Sequence, residues 1–149
     1  MKKLLFIAIA AVIAVGFAAC SDNDDDDRFI ALSQLPGNAQ SFISAYFGGA
    51  DVFKVTTENK SSGTEYKVTF RNGYEVEFDA TGSWTDVDAP SGRTVPVGIA
   101  PAAIQNYVDT YFPADGINEI SRDYRGYEVE LLSGIDLTFN PDGQLVEID

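Results

Sequence analysis

Several residue types that enzymes and metal sites depend on are missing or scarce in this chain. Its 149 residues contain no histidine, one cysteine and one tryptophan. Without histidine the chain can form neither a Ser-His-Asp triad nor a Cys-His pair, nor can it hold a histidine-bound metal. A single cysteine cannot form an internal disulfide or a thiolate cluster. The most common nucleophilic and zinc-dependent chemistries are therefore excluded.

Positive charge is also scarce. Ten lysines and arginines stand against 23 aspartates and glutamates, which gives a formal net charge of −13. So acidic a chain is repelled by the phosphates of nucleic acid and by anionic lipid headgroups, so neither is an expected partner. With 45% hydrophobic and 12% aromatic residues, the chain is apolar enough to fold, and its length suits one domain.

The first 19 residues have the pattern of a secretory signal. Lys2 and Lys3 precede an uninterrupted run of apolar and small residues, 4–19, which is shorter than the ~18 or more residues expected of a membrane-spanning helix. Small residues directly before the lone Cys20 resemble the lipobox of bacterial lipoproteins. We therefore predict a lipoprotein signal peptide over 1–19 and a lipid anchor on Cys20. The alternative is a plain secretory signal with an incidental cysteine.

An acidic segment follows the cysteine. Residues 20–28 include four consecutive aspartates, namely Asp24, Asp25, Asp26 and Asp27. Like charges in a row keep a segment solvated and extended, so we predict a tether here. The run also resembles the acidic export signal that sends lipoproteins to the outer face of the outer membrane in some Gram-negative bacteria. The expected location is thus the outer membrane, exposed at the cell surface, or otherwise its periplasmic face.

The remainder, residues 29–149, has the pattern of an internal repeat of two similar units. Residues 35–47 match a later segment at an offset of 65, and residues 66–82 match another at an offset of 61. The difference of four between the two offsets indicates one insertion, most simply in a loop at 60–63. We predict a first repeat at 29–88, a turn-rich linker at 89–94 and a second repeat at 95–149, which share one core in one domain.

Each predicted unit opens with a helix and continues with strands. Pro36 and Pro101 suit the first position of a helix, and apolar residues at helical spacing predict one buried stripe on each. Strict alternation predicts one antiparallel hairpin per unit, whose register is set by three-residue loops ending at Gly73 and Gly134. The fold class is α+β: two tandem repeats, each a helix followed by about four antiparallel strands, with both helices packed on one sheet face.

At these residues the chain resembles the PepSY-like family, also described as β-lactamase-inhibitor-like lipoproteins. The matching features are Leu-Pro, Phe-Ile and Tyr-Phe on the helix, Tyr-x-Val on a strand, and Gly-x-x-x-x-Phe-Asp-x-x-Gly-x-Trp at 73–84 with an echo at 134–145. The resemblance covers roughly residues 29–149 and implies a two-repeat fold like that of a β-lactamase inhibitor. It transfers no catalytic residue and does not imply inhibition, because one fold hosts many functions.

Residues on the outer face of the predicted sheet are the candidates for binding. Alternation along the last strand of the first unit puts Trp84 outside, where an exposed tryptophan can anchor a partner. The alternative is that a bulge turns this ring inward or that it caps the edge of the core. The same outer face carries further candidates, namely Lys67, Glu75, Glu77, Glu128, Glu130 and Asp136.

The charges on this face differ between the two predicted units. Lys67 faces Glu77 in the first hairpin, whereas Glu130 faces Asp136 in the second. Like charges placed opposite each other destabilise a sheet. This favours a partner that is basic or brings a cation, and the alternative is an ordinary solvated face. The acidic turns at 79–82 and 140–143 are explained by turn chemistry and predict no metal site.

We therefore expect a lipid-anchored, non-enzymatic binding module of the bacterial envelope. No cofactor is expected, and the predicted partner is a protein or peptide bound through the open sheet face. A glycan-binding accessory lipoprotein is one alternative, for which Trp84 and Tyr124 are the aromatic candidates. A protein inhibitor of an envelope or secreted enzyme is another. An enzyme is not expected, because Glu75 and Glu77 share a flat strand face that does not exclude water.

Overall fold

A computed structural model of the protein describes residues 28–149, which contain two α-helices and nine strands. The predicted signal peptide, Cys20 and the aspartates at 24–27 lie outside the described residues. Arg28, which the sequence assigned to the tether, begins the first strand. The elements are β1 (Arg28–Phe29), a short 3-10 helix (Leu32–Gln34), α1 (Gly37–Phe47), β2 (Val52–Lys60), β3 (Gly63–Phe70), β4 (Glu75–Phe78), β5 (Trp84–Asp88), α2 (Ala102–Tyr111), β6 (Ile117–Asp123), β7 (Gly126–Leu131), β8 (Asp136–Phe139) and β9 (Leu145–Ile148).

The nine described strands form one open antiparallel sheet in chain order. Each strand pairs with the next along the chain. This holds even for β5 and β6, which are joined through α2 and pair Val87 with Ile120. The strands before α2 and those after it are therefore continuous in one sheet. The predicted α+β class with an antiparallel sheet is confirmed.

The two central hairpins have the predicted registers. The amide of Phe70 donates a hydrogen bond to the Tyr74 carbonyl at 2.9 Å, and the amide of Leu131 donates one to the Ile135 carbonyl at 2.9 Å. Gly73 adopts a φ of 94°, a left-handed conformation that other residues adopt at a cost. The resulting pairs are Tyr66–Phe78 and Val68–Val76 in the first hairpin, and Tyr127–Phe139 and Val129–Leu137 in the second.

The predicted insertion at 60–63 is not a longer loop. Both the β2–β3 turn and the β6–β7 turn contain two residues, at 61–62 and 124–125. Instead β2 and β3 have 9 and 8 residues, whereas β6 and β7 have 7 and 6. The prediction of a loop at 60–63 was wrong, because Lys60 and Gly63 pair with each other at the end of the hairpin and only residues 61–62 form its turn.

The helices begin one residue later than predicted. Pro36 and Pro101 are N-cap residues with extended ψ angles of 145° and 143°, and the first helical residues are Gly37 and Ala102. The Pro36 carbonyl accepts the first helical hydrogen bond, from Gln40 N at 3.1 Å. Each proline therefore supplies the first acceptor of its helix rather than occupying the position where a missing N–H is harmless. Among the described residues no helix is long and apolar enough to span a membrane.

Both helices pack against the same face of the sheet. Phe42 of α1 meets Phe78 edge-on with ring centroids 5.6 Å apart, and Tyr107 of α2 meets Phe139 in the same way at 5.5 Å. The strand positions beneath them are opposite one another on successive strands and are almost completely buried: Val76, Val87, Ile120, Val129 and Leu137. Neither helix covers the other face of the sheet, which is open to solvent.

Two tight turns hold the ends of the strands against the helices. Gly82, in the β4–β5 turn, has a φ of 81°, and a Cβ there would lie 2.7 Å from the Pro36 Cβ. Gly143, in the β8–β9 turn, has a φ of 76°, and its Cβ would lie 2.9 Å from the Ala103 Cβ. Both turns therefore require glycine for conformation and for space.

Candidate functional site

The structure places Trp84 on the helix side of the sheet, so its predicted place on the open face is wrong and the alternative, a bulge that turns the ring inward, is what occurs. The pairing of β4 with β5 shifts by one residue: Glu77 pairs with Asp86, but Phe78 pairs with Trp84. This bulge breaks the alternation and puts Trp84 on the same face as Phe78. Its ring centroid lies 6.3 Å from that of Phe42. A bulge is one extra residue, here Thr85, and leaves little mark in the sequence.

The other predicted residues lie together on the open face, as expected. Lys67, Glu75 and Glu77 occupy β3 and β4, and Glu128, Glu130 and Asp136 occupy β7 and β8. The candidate residues named from the sequence did not include Asp86, Asp88 and Glu119. These three acids lie on β5 and β6, the strands through which the two halves of the sheet meet. Alternation along each strand could have assigned them to this face, but the pairing of β5 with β6 had no local signal.

Carboxylates form a continuous row across the open face. Successive pairings join Glu75 to Asp88, Asp88 to Glu119, Glu119 to Glu130, and Glu130 to Asp136. Side chains directly opposite on neighbouring strands have Cβ atoms about 4.5–5.5 Å apart. Carboxylates from β4 to β8 therefore stand in line with no uncharged residue between them.

A second row runs beside the first and is less uniformly charged. It contains Glu77, Asp86, Ser121, Glu128, Thr138 and Glu147 in the order of the strands. Asp86 is half-buried within this row. It faces Glu77 on one neighbouring strand and Ser121 on the other, so no basic group stands directly opposite it.

Compensating positive charge is concentrated at one end of the face. The Lys67 ammonium lies 2.5 Å from Glu75 and 3.5 Å from Glu77. On β5–β9 the open face carries no lysine or arginine, and Arg125, in the neighbouring turn, pairs with Asp123 at 2.6 Å. The uncompensated part, which we call the acidic face, consists of Asp86, Asp88, Glu119, Glu128, Glu130 and Asp136.

Crowding on the acidic face shifts the protonation of its members. Burial, the charge of Glu119 and the charge of Glu77 raise the pKa of Asp86 to about 8. Burial and the neighbouring Asp88 and Glu130 raise the pKa of Glu119, and burial likewise raises the pKa of Glu128. These effects favour the protonated form of Asp86 at neutral pH, and a proton on Asp86 allows it to share a hydrogen bond with Glu119.

The two acidic turns show no ligand geometry. Asp79 Oδ1 accepts hydrogen bonds from the amides of Thr81 and Ser83, at 2.8 and 3.1 Å. Asn140 Oδ1 accepts the equivalent bonds from the amides of Asp142 and Gln144. These are the side-chain bonds that stabilise turns. Within residues 28–149 no three potential ligands converge as they would around a metal ion.

A cleft of about 350 Å³ lies on the helix side of the sheet. It contains Trp84 and Tyr124, the two aromatic residues singled out from the sequence, together with Arg122. Arg122 pairs with Tyr127 and Tyr127 pairs with Phe139, which fixes Arg122 on the helix side. No local motif marks this arginine, because its contact with Trp84 spans 38 residues of chain.

Comparisons with known proteins identify relatives of the chain. Residues 64–147 match a family model described as "Putative beta-lactamase-inhibitor-like, PepSY-like". A crystal structure of a "putative calcium-regulated periplasmic protein" from Bacteroides thetaiotaomicron has a TM-score of 0.80 and 40% identity, and the alignment covers 83% of this chain and 97% of that one. No curated protein matches significantly.

Two further crystal structures come from Bacteroides vulgatus. A "putative periplasmic protein" of the DUF2874 family has a TM-score of 0.81 and 37% identity, with 85% of this chain and 99% of that one covered. A second "putative periplasmic protein of unknown function" has a TM-score of 0.77 and 26% identity, with 83% and 98% covered. The similar structures thus share a fold and a periplasmic description with one another.

Proposed function

The chain belongs to the PepSY-like family, and from this premise we propose that it is a non-enzymatic binding protein of the bacterial cell envelope that recognises a basic protein or peptide through its acidic face. The periplasmic descriptions of the similar structures support the envelope location. The family is inhibitor-like by description and brings no catalytic residue with it.

The row from Glu75 to Asp136 is the observation that carries this proposal. Each like-charged pair opposed across a sheet costs stability, and the acidic face retains several such pairs without a counter-charge. A partner that brings lysines or arginines removes this repulsion on binding. Complementary charge also steers the encounter and raises the association rate, an effect that weakens with salt.

The protonation of Asp86 makes the proposed binding of a basic partner pH-dependent. A cationic group next to Asp86 favours its charged form and lowers its pKa. Binding below pH 8 therefore requires release of the proton that Asp86 holds in the free protein. Affinity for a basic partner should rise with pH up to about 8, which is the opposite of what titration of a lysine on the partner would produce.

We also propose that the two halves of the fold are copies of one unit. Support comes from their equal order of one helix and four strands and from the equal registers of their central hairpins. It comes also from the bulges that put Trp84 opposite Phe78 and Leu145 opposite Phe139. Doubling of the unit widens the sheet, and the Asp88–Glu119 pair at the junction joins the acids of both halves into one row.

Attachment to the membrane is a further part of the proposal. Cys20 would carry the lipid, and the aspartates at 24–27 would direct the protein to the outer face of the outer membrane. The support is the order of signal-like run, lone cysteine and acidic segment in the sequence. A lipid anchor suits so acidic a protein, since its surface charge disfavours binding to anionic lipid.

Calcium is a second candidate ligand, and two observations favour it. The similar structure from Bacteroides thetaiotaomicron is described as calcium-regulated, and carboxylates are the ligands that this ion prefers. The acidic face is flat, however, whereas calcium takes about 6–8 oxygen ligands. On this chain the ion would therefore be held weakly, or between the face and a partner.

The proposal is tested by neutralising three acids of the face. In the test variant Asp88→Asn, Glu119→Gln and Glu130→Gln are combined. The matched control combines Asp51→Asn, Asp109→Asn and Asp142→Asn, which removes the same charge from exposed positions elsewhere. Binding of a fluorescent hexalysine peptide is measured by anisotropy, with and without calcium, and envelope proteins are captured on each variant.

The test variant should bind hexalysine at least ~10-fold more weakly than the wild type, while the control should lose much less. Calcium should compete with the peptide if both use the face. Equal weakening in the two variants would contradict the proposal, since only overall charge would then matter. Envelope proteins retained equally by the wild type and the test variant would contradict it as well.

A further inference from the structure

The helix-side cleft contains one arginine, Arg122, beside two acids, Asp79 and Asp123. It lies at the end of the sheet where the β4–β5, β6–β7 and β8–β9 turns meet, on the face opposite the acidic face. Its volume of about 350 Å³ falls in the range of small-molecule sites, roughly 300–1,000 Å³. Its principal lining residues are Asp79, Trp84, Thr85, Arg122, Tyr124 and Tyr127.

Arg122 is fixed in this cleft by two contacts with Trp84. Its Nε donates a hydrogen bond to the Trp84 carbonyl at 2.6 Å, and its guanidinium carbon lies 4.4 Å from the centroid of the indole ring. Neither contact neutralises the charge. A guanidinium has five N–H donors. Among the described residues only Nε–H of Arg122 has a protein acceptor, so four donors of this lining residue remain unpaired.

The acids that line the cleft are engaged by other groups. Asp79 accepts hydrogen bonds from the Thr81 hydroxyl and from two amides of its own turn. Asp123 is paired with Arg125. Among residues 28–149 no carboxylate lies within ion-pair distance, 4.0 Å, of Arg122. Burial raises the pKa of Asp79, but hydrogen bonds from Thr81 and Ser83 and the charge of Arg122 lower it below its ordinary value. An anion on Arg122 therefore displaces no ion pair, although Asp79 lies within reach of its charge.

The walls of the cleft suit a hydroxylated ring that has an apolar C–H face. Tyr124 is 89% exposed at the rim, and Tyr127 is half-buried against the core. The hydroxyls of Thr85, Tyr124 and Tyr127 have no hydrogen-bond partner within the described part of the chain and are free to bind a ligand. Tyrosine combines an apolar ring face with a polar tip, so one side chain can contact both the ring and the hydroxyls of a sugar.

We propose that this cleft binds a sugar acid, a uronate, with its carboxylate on Arg122 and its ring against Tyr124. Arginine pairs with carboxylates through two parallel N–H···O bonds, which gives both affinity and orientation. A neutral sugar would leave the guanidinium unpaired, and a simple anion would leave the hydroxyls unused. A polyanion is disfavoured by the net charge of −13, which repels multiply charged ligands.

Tryptophan fluorescence provides a direct assay, because Trp84 is the only tryptophan in the chain and lines the cleft. Free glucuronate is the probe, with glucose and acetate as analogues that lack its carboxylate or its ring. Glucuronate should change the fluorescence saturably, and both analogues should bind at least ~10-fold more weakly. The side-chain Nε–H signal of Arg122 in an ¹⁵N NMR spectrum should shift in the same titration.

Variants separate the specific site from general charge. Arg122→Gln should lower the affinity for glucuronate ~10–100-fold, while Arg93→Gln, which removes the same charge from an exposed arginine outside the cleft, should leave it nearly unchanged. Tyr124→Ala changes an exposed side chain and should weaken glucuronate several-fold with no effect on acetate. It decides the question if the Arg122 variant does not fold.

Three results would overturn the proposal: no fluorescence or NMR response to glucuronate, equal responses to glucose or acetate, or equal affinities of the Arg122 and Arg93 variants. The acidic-face triple variant should bind glucuronate like the wild type. Its retention of this ligand would show that the cleft acts independently of the proposed protein-binding face.

Discussion

The burial of Asp86 among other acids has a measurable consequence for stability. Asp86 faces Glu77 on β4, lies near Asp88 on its own strand, and shares a hydrogen bond with Glu119 on β6. Its pKa is about 8 in the folded protein, against an ordinary value of 3.8. Between about pH 4 and pH 8 the folded state therefore holds a proton that the unfolded state has lost, so stability falls as pH rises.

The size of this effect follows from the pKa. One proton contributes at most ~1.4 kcal/mol per pH unit, and integration from pH 6 to pH 8 gives a loss of about 2 kcal/mol. This is a substantial part of a typical total of about 5–15 kcal/mol. Asp86→Asn keeps the shape and a hydrogen-bond donor but removes the titration. The variant should match the wild type near pH 6 and exceed its stability by about 2 kcal/mol at pH 8.

Urea unfolding curves at pH 5, 6, 7, 8 and 9 measure this directly. Asp109→Asn, an exposed aspartate on α2, is the control and should leave the wild-type pH dependence in place. A wild-type stability that does not change between pH 6 and pH 8 would refute the reasoning. An Asp86→Asn variant that retains the full slope would refute it too, since another group would then hold the proton.

Three further predictions concern packing and location. Trp84→Ala should cost about 2–4 kcal/mol in a denaturant melt, because the ring packs on Phe42, and a loss below ~1 kcal/mol would place it at the surface after all. Gly82→Ala should lower the free energy of unfolding by about 2–4 kcal/mol and Gly134→Ala by about 1–2 kcal/mol. Both glycines have a positive φ, but only at Gly82 would the added Cβ meet another atom. Equal losses in the two denaturant melts would contradict this. Cys20→Ser should move the protein from the membrane fraction to the soluble fraction, and unchanged membrane association would exclude the lipid anchor.

The parts of the fold that follow local rules could be predicted from the sequence. In the central hairpins, alternation defines which residues share a face, and a glycine at the end of a three-residue loop fixes the register. The pairs Val68–Val76 and Val129–Leu137 follow from these two signals together. The helices followed from apolar spacing, although their first residues could not be separated from the capping prolines.

Features that depend on distant parts of the chain could not be predicted. The bulge at Thr85 reverses the face of Trp84, and the turn at Gly82 beside it packs closely against Pro36 at the start of α1, 46 residues away in the sequence. The pairing of β5 with β6 spans the linker and α2. From the sequence alone, the acids on either side of this pairing, Asp88 and Glu119, could therefore not be joined into one row. The contact between Trp84 and Arg122 could not be predicted for the same reason, since the two residues are 38 positions apart in the sequence.

The surface that a basic peptide contacts can be mapped by NMR. Hexalysine is titrated into ¹⁵N-labelled protein, and the shifted backbone amides are placed on the structure. We expect shifts concentrated at β5–β8, around Asp88, Glu119 and Glu130, and growing from pH 6 to pH 8 as Asp86 gives up its proton. Shifts spread over all exposed acids, or centred on the helices and the cleft, would contradict the assignment of the acidic face as the binding surface.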